Sequence, residues 1–244
     1  IDTTATISSG GSQNILASGL ASGATISAGG SQNIASGGLA SSTIINSGGL
    51  QNISTGGSAT NATVNSAGIL AVSGGGSATN ITQSAGGALI ANTSANISGI
   101  ANGGINFYVS NNVASSLVLN NSAVFTVFND GTANNLLISS GGTQNVSGLD
   151  TAATVSTGGV QNVFLSGIAS GATLSGGTQN LSGGSATLTI ISSGGIGNVL
   201  ASGIASATII NSGGRLNVSS GGSSFRTIVN DGGLEYISSG GYGP

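Results

Sequence analysis

One six-residue phrase, Gly29-Gly30-Ser31-Gln32-Asn33-Ile34, returns along the chain at a nearly fixed interval. Close copies start at Gly10, Gly48, Gly141, Gly158 and Gly176, and looser ones at Ala67, Gly86, Gly194, Gly213 and Gly232. Neighbouring copies lie 17 to 19 residues apart. A fixed period of this size is the signature of a repeat architecture, in which each unit buries its apolar side only by stacking on the next.

Within a period the apolar residues alternate over short segments separated by Gly, Ser or Asn. Residues 24–47 show this: Ala24-Thr25-Ile26-Ser27, then Gln32-Asn33-Ile34 after Gly29-Gly30, then Ala40 to Ile45 after Gly37-Gly38. Segments of four to six residues rich in Ile, Val and Thr read as strands, and the Gly-rich breaks as corners. The density of Gly, Ser, Thr and Asn disfavours helix. The expected fold is all-β, a parallel right-handed β-helix (β-solenoid) of about thirteen coils, roughly 19 residues per coil, with the hand taken from the preference of parallel crossovers. At ~4.8 Å per coil such a stack would be on the order of 60 Å long. One domain over 1–244 is expected. Within it the motif fades over 105–140, where Asn-rich turns and Phe107, Tyr108, Phe125 and Phe128 appear. The alternation Ile105, Phe107, Val109 predicts diverged coils there, with an extruded hairpin or a contact patch as the alternative.

Stacking converts each repeat position into a ladder. The Ile/Val ladder (Ile15, Ile34, Ile53, Val72, Val146, Val163, Leu181, Val199, Val218, Ile237) is expected to form the core. Two residues earlier stand Gln13, Gln32, Gln51, Gln144, Gln161 and Gln179, which share that inward side by period-two logic. Leu70, Leu89 and Leu216 replace Gln at this position, so an internal amide ladder is predicted. A candidate outward recognition ladder is Thr25, Thr43, Thr63, Thr154, Thr173, Thr208 and Thr227, beside Asn46, Asn65, Asn211 and Asn230; the alternative is that Thr simply suits exposed strands and water.

Composition excludes most chemistry. There is no His or Cys, so imidazole bases, Ser–His pairs and Cys/His metal sets are unavailable. Only 3% of residues are charged, and Arg215 and Arg226 are the sole cations. Nucleic acid and anionic membrane surfaces are therefore poor partners. Asp2, Asp130, Asp150, Asp231 and Glu235 are scattered; Asp231 and Glu235 are expected to pair with the arginines rather than to form a catalytic couple. No catalytic, cofactor or metal residue is assigned, and no enzyme activity is expected. Hydrophobic content of 38% with a net charge of −3 argues against disorder. Despite a mean hydropathy of +0.36, no apolar run approaches the ~20 residues of a membrane span. Ile1 begins inside a repeat without a signal peptide, which suggests an excised segment of a longer chain.

The unit [A/S]-T-[I/V]-x-S-G-G-x-Q-N-[V/I]-x-x-G-G-x-A, clearest at Ala24–Ala40, Ser42–Ala59 and Ala153–Ala169, resembles the repeat of AIDA-type (diffuse-adherence) autotransporter adhesins. The resemblance implies a right-handed β-helical passenger, exported through its own outer-membrane barrel. Such a passenger stays on the bacterial cell surface or is released into the extracellular space. It also implies cell–cell self-association, biofilm formation or host adherence, with partners that include a second passenger and a host-cell surface or glycan receptor. A glycosyltransferase acting on repeat Ser or Thr is a further implied partner, and Ser27, Ser47, Ser66 and Ser212 are the candidate acceptors. Self-associating members often use charged side faces, which this chain lacks; neutral ladders would have to serve. The alternatives are a passive stalk projecting a distal adhesive domain and a Thr-ladder ice-binding solenoid. The latter needs regular Thr-x-Thr spacing, present only in part at Thr187-Leu188-Thr189.

Overall fold

A computed structural model describes residues 1–243, and every regular element among them is a strand. The residues group into two compact units, Ile1–Leu117 with Ala123–Phe125 and Val118–Ser122 with Thr126 onward. Each is a stack of parallel coils. In the first unit one turn runs through Ser31–Ile34, Leu39–Ser41 and Ile44–Ile45. Each strand pairs in parallel with its equivalent one turn on: Gln32 with Gln51, Ala40 with Ala59, Ile45 with Val64. The second unit repeats the scheme, with Gln144 on Gln161, Asp150 on Ala169 and Val155 on Leu174. The three strand types define a QN face, an alanine face and an isoleucine face.

Burial follows the alternation. Ile34, Ile53, Val146, Val163 and Val199 are buried on the QN face, with Ala40, Ala59 and Ala169 on the alanine face and Ile26, Ile45 and Val155 on the isoleucine face. Each large aliphatic side chain so buried contributes roughly 1.5–3 kcal/mol. The small Ala between two rows of branched side chains lets three strands close around one narrow core. Ile237 departs from the expected core ladder: it sits in the last turn among the described residues, with no later coil among them upon it, and is exposed.

The paired glycines at the corners have separate reasons. Gly48 has φ +70, where a β-carbon is strained, although Ala67 accepts φ +56 at the equivalent position. Gly49 has no such φ, but a β-carbon there would meet the Ile26 carbonyl of the preceding coil at 2.6 Å. The second glycine is therefore the stricter one, and the repeat keeps it where the first varies. The corner backbone also hydrogen-bonds along the stack, as in Gly29 N to Gly48 O at 3.0 Å and Gly48 N to Ala67 O at 2.9 Å. Corner amides are thereby satisfied without a loop.

QN-type strands number twelve among the described residues, against about thirteen expected coils. The difference lies in the first unit. Ile105–Ser110 falls where the period would place the next QN strand, yet it pairs antiparallel with Asn96–Ala101 and then with Val113–Ser115. The reading of 105–140 as diverged coils therefore fails for 105–115, which is an antiparallel meander. Beyond it, Val118–Leu119, Thr132–Asn134 and Leu137–Ile138 of the second unit each pair in parallel with a later strand. The local sequence explains the exchange. Gly103 and Gly104, with φ +90 and +79, and Asn111-Asn112, both at positive φ, reverse the chain twice. Phe107 and Val109 still point into the core while Ile105 does not.

Candidate functional site

On the isoleucine face the predicted threonine row divides in two. Thr25, Thr63, Thr154 and Thr173 each precede one inward aliphatic residue and point outward, half-buried. Thr43 and Thr208 do not: both are buried, and the expected outward orientation is wrong for them. Their turns read Thr-Ile-Ile instead of Ala-Thr-Ile. Register pairs Thr25 with Ile44 and Ile26 with Ile45, which puts Thr43 in the inward place of Ala24. Ile190 pairs with Ile209 and Ile209 with Ile228 in the same phase, so Thr208, Thr227 and also Thr189 face inward. The hydroxyls of Thr189, Thr208 and Thr227 are buried without a partner, whereas Thr43 donates to Gln32 Oε1 at 3.2 Å. Thr187 and Thr189 flank the corner at Leu188 and face opposite sides of the wall, so they form no flat Thr-x-Thr row.

The asparagines of the row are bonded to each other along the stack. Asn65 Nδ2 donates to Asn46 Oδ1 at 2.9 Å, and Asn230 Nδ2 to Asn211 Oδ1 at 2.7 Å. A longer ladder, to which the sequence alone assigned no role, lies on the QN face. Asn162 donates to Asn145, Asn180 to Asn162, Asn198 to Asn180 and Asn217 to Asn198, at 2.8–3.0 Å. Asn52, Asn33 and Asn14 do the same in the first unit, each bond 2.9 Å. The signal was present: the Asn of every Gln-Asn pair must face outward if the Gln faces inward. Asn162, Asn180 and Asn198 each use one N–H and one lone pair within the ladder, leaving a second donor and acceptor for an outside partner, whereas Asn33 spends its second N–H on Ser12 Oγ at 3.1 Å. Of the four candidate serines, Ser47, Ser66 and Ser212 occupy exposed corners, while Ser27 stands half-buried in line with Asn46.

Inside, the glutamine ladder runs as expected. Gln51 donates to Gln32 and Gln32 to Gln13, both at 2.6 Å; Gln179 donates to Gln161 at 2.6 Å and Gln161 to Gln144 at 2.8 Å. All donors point the same way, so the first amide of each stack needs an acceptor. Asp2 supplies it to Gln13 at 2.6 Å, and Asp150 to Gln144 at 2.7 Å and to Gln161 at 2.9 Å. Both aspartates replace an alanine of the alanine face, pairing with Ala21 and Ala169 respectively. Asp150 is fully buried, and desolvation pushes its carboxyl from 3.8 to about 6, against the opposing pull of the two amide donors.

The expected pairing of Asp231 and Glu235 with Arg215 and Arg226 is not formed among the described residues. Glu235, at the Gln position, accepts from Ser224 Oγ at 2.7 Å instead. Among those residues no cluster of three or more acids could hold a metal, and no helix is long and apolar enough to cross a membrane.

Stacked parallel coils with neutral hydrogen-bonding ladders on the outside define the class: a β-solenoid whose exposed sides repeat with the coil. Residues 98–159 match the family described as "Adhesin of bacterial autotransporter system, probable stalk". The chain is also similar to a solved structure, a fragment of TibA hyper-glycosylated by TibC, at 35% identity. That alignment covers 99% of this chain and 98% of the other, with a TM-score of 0.56. No curated protein sequence matches it. The chain belongs to the AIDA/TibA family of bacterial autotransporter adhesins.

Proposed function

We propose that this chain is the adhesin passenger segment that brings cells together, by lateral docking of one solenoid face on another copy. Family membership supports an adhesin-like passenger stalk at the cell surface or beyond it. The observation that carries the finer reading is the outward asparagine ladder Asn145–Asn162–Asn180–Asn198–Asn217. It presents unused amide donors and acceptors at the ~4.8 Å coil repeat. A second copy carries the same spacing, so one matched pair brings its neighbours into register. Individually weak contacts then multiply along the face. No charge is needed, which suits a chain with two cations. The role is non-enzymatic in this reading, and biofilm formation and host adherence would follow from the same surface. The relative solved after modification by TibC supports a glycosyltransferase partner here too, with exposed corner hydroxyls at Ser47, Ser66 and Ser212 as acceptors ahead of Ser27.

Sedimentation velocity over a wide concentration range tests the reading. Dimers or larger species that disappear in Asn162→Ala/Asn180→Ala/Asn198→Ala are expected. A strict monomer for the unmodified and the glycosylated chain would refute it. A passive stalk is the second reading, favoured by the same ladder seen differently: each amide already has an axial partner, which stiffens the wall without any outside contact.

A further inference from the structure

A cleft lies beside the meander of the first unit. Strand Ser77–Gln83 meets Asn96–Ala101 with a register break between Ala78 and Ile81, and Asn80 sits in that break at φ +56. That φ is the ordinary value for this corner, shared by Asn61 one coil earlier, so the break comes from the partner strand, which passes from Ile97 to Gly99 without a corner of its own. Gly99 lies in the middle row, between Ile81 and Phe107. A β-carbon at Gly99 would run into the Ile81 carbonyl and the Phe107 ring, so only glycine lets the three strands close. The resulting cavity is about 560 Å³, lined by Asn80, Ile81 and Thr82 on one side, Ser98 to Ile100 in the centre, and Asn106, Phe107 and Tyr108 on the other.

We infer that this cleft binds a neutral saccharide, with Tyr108 as the stacking platform and Asn80 and Asn106 as the amides that address ring hydroxyls. Three features select that ligand. Tyr108 is 46% exposed beside the exposed Ile100, giving an apolar surface for the C–H face of a pyranose. The side chains of Asn80, Thr82, Ser98, Asn106 and Tyr108 make no hydrogen bond within the described structure, whereas the repeat asparagines each commit one donor and one acceptor to their axial neighbours. No charged residue lines the cleft, so an ionic ligand would lose its hydration without a counter-charge. An extended peptide fits less well. The central strand is already paired on both flanks, Thr82 with Ile100 and Ile100 with Asn106, so its backbone cannot accept another strand. The volume falls within the range of small-ligand sites, about 300–1,000 Å³.

The site uses none of the ladder residues invoked for self-association, so either inference survives failure of the other. The test is binding of the full chain, displayed multivalently, to a printed array of neutral, sialylated and sulfated glycans. Binding to neutral hexose-terminated glycans is expected. Tyr108→Ala should reduce it about ten-fold, as loss of one stacking contact implies, and Tyr108→Phe should retain most of it. Asn106→Ala provides a second variant outside the core, also expected to weaken binding. No glycan binding by the wild type, preference for sialylated or sulfated glycans, or full binding by Tyr108→Ala and Asn106→Ala would each overturn the proposal.

Discussion

Replacing Asp150 by asparagine isolates the one buried carboxylate of the glutamine stack. In the wild type its carboxyl titrates at about 6 in the folded chain, against 3.8 for the unfolded reference, because burial penalises the charge. A folded value above the unfolded one means that the native state binds the proton more tightly. The associated stability is fully present below 3.8 and is lost as pH rises through 6. At ~1.36 kcal/mol per unit the difference is about 3 kcal/mol, with no discount for solvent screening since the group is fully buried. The substituted asparagine cannot titrate. It keeps one acceptor but turns an N–H toward the second glutamine donor, so one of the two amide bonds is lost at every pH. Protonated Asp150 loses an acceptor in the same way, so the variant behaves as a permanent mimic of the acid form. Guanidinium unfolding of both proteins at pH 4 and pH 7.5, followed by far-UV circular dichroism, reads the effect. The wild type should lose about 2.4 kcal/mol relative to the variant between these two conditions, less than the full difference because pH 4 lies just above the unfolded value of 3.8. A wild type that gains stability relative to Asp150→Asn as pH rises would refute the argument, because it would mean that the hydrogen bonds from Gln144 and Gln161 outweigh burial.

Two further outcomes follow from the corners and from the isoleucine face. Gly49→Ala should destabilise by about 2–4 kcal/mol, since its β-carbon must displace the Ile26 backbone, while Gly48→Ala should cost only about 1–2 kcal/mol for the left-handed backbone. Thermal unfolding of the two variants side by side gives the order, and the reverse order would contradict it. Thr208→Val removes a buried hydroxyl that has no partner and should raise stability by about 1–2 kcal/mol, a gain visible in the denaturation midpoint.

Much of this molecule is written in its local sequence. The 17-to-19-residue period, the β-branched alternation and the glycine pairs determine short strands, corners and parallel stacking. Period two then orients Gln32 with Ile34 inward, because a side chain two residues away must share a face. The outward Asn33 follows by the same rule. What the sequence left undecided depends on which residue lies one coil away. Thr25 and Thr43 look alike beside an isoleucine, yet only the register that sets Ile44 against Thr25 shows that Thr43 has moved to the inward row. Asp150 looks like one scattered acid until stacking places it in the alanine row, beneath Gln144 and Gln161 and out of water. The meander was hidden for the same reason. Ile105, Phe107 and Val109 alternate as well for an antiparallel partner as for a parallel one, and only tertiary pairing with Asn96–Ala101 chooses between them and opens the cleft beside Tyr108. Alternation along a strand is a local property of the backbone; the identity of its neighbour is set by the whole stack.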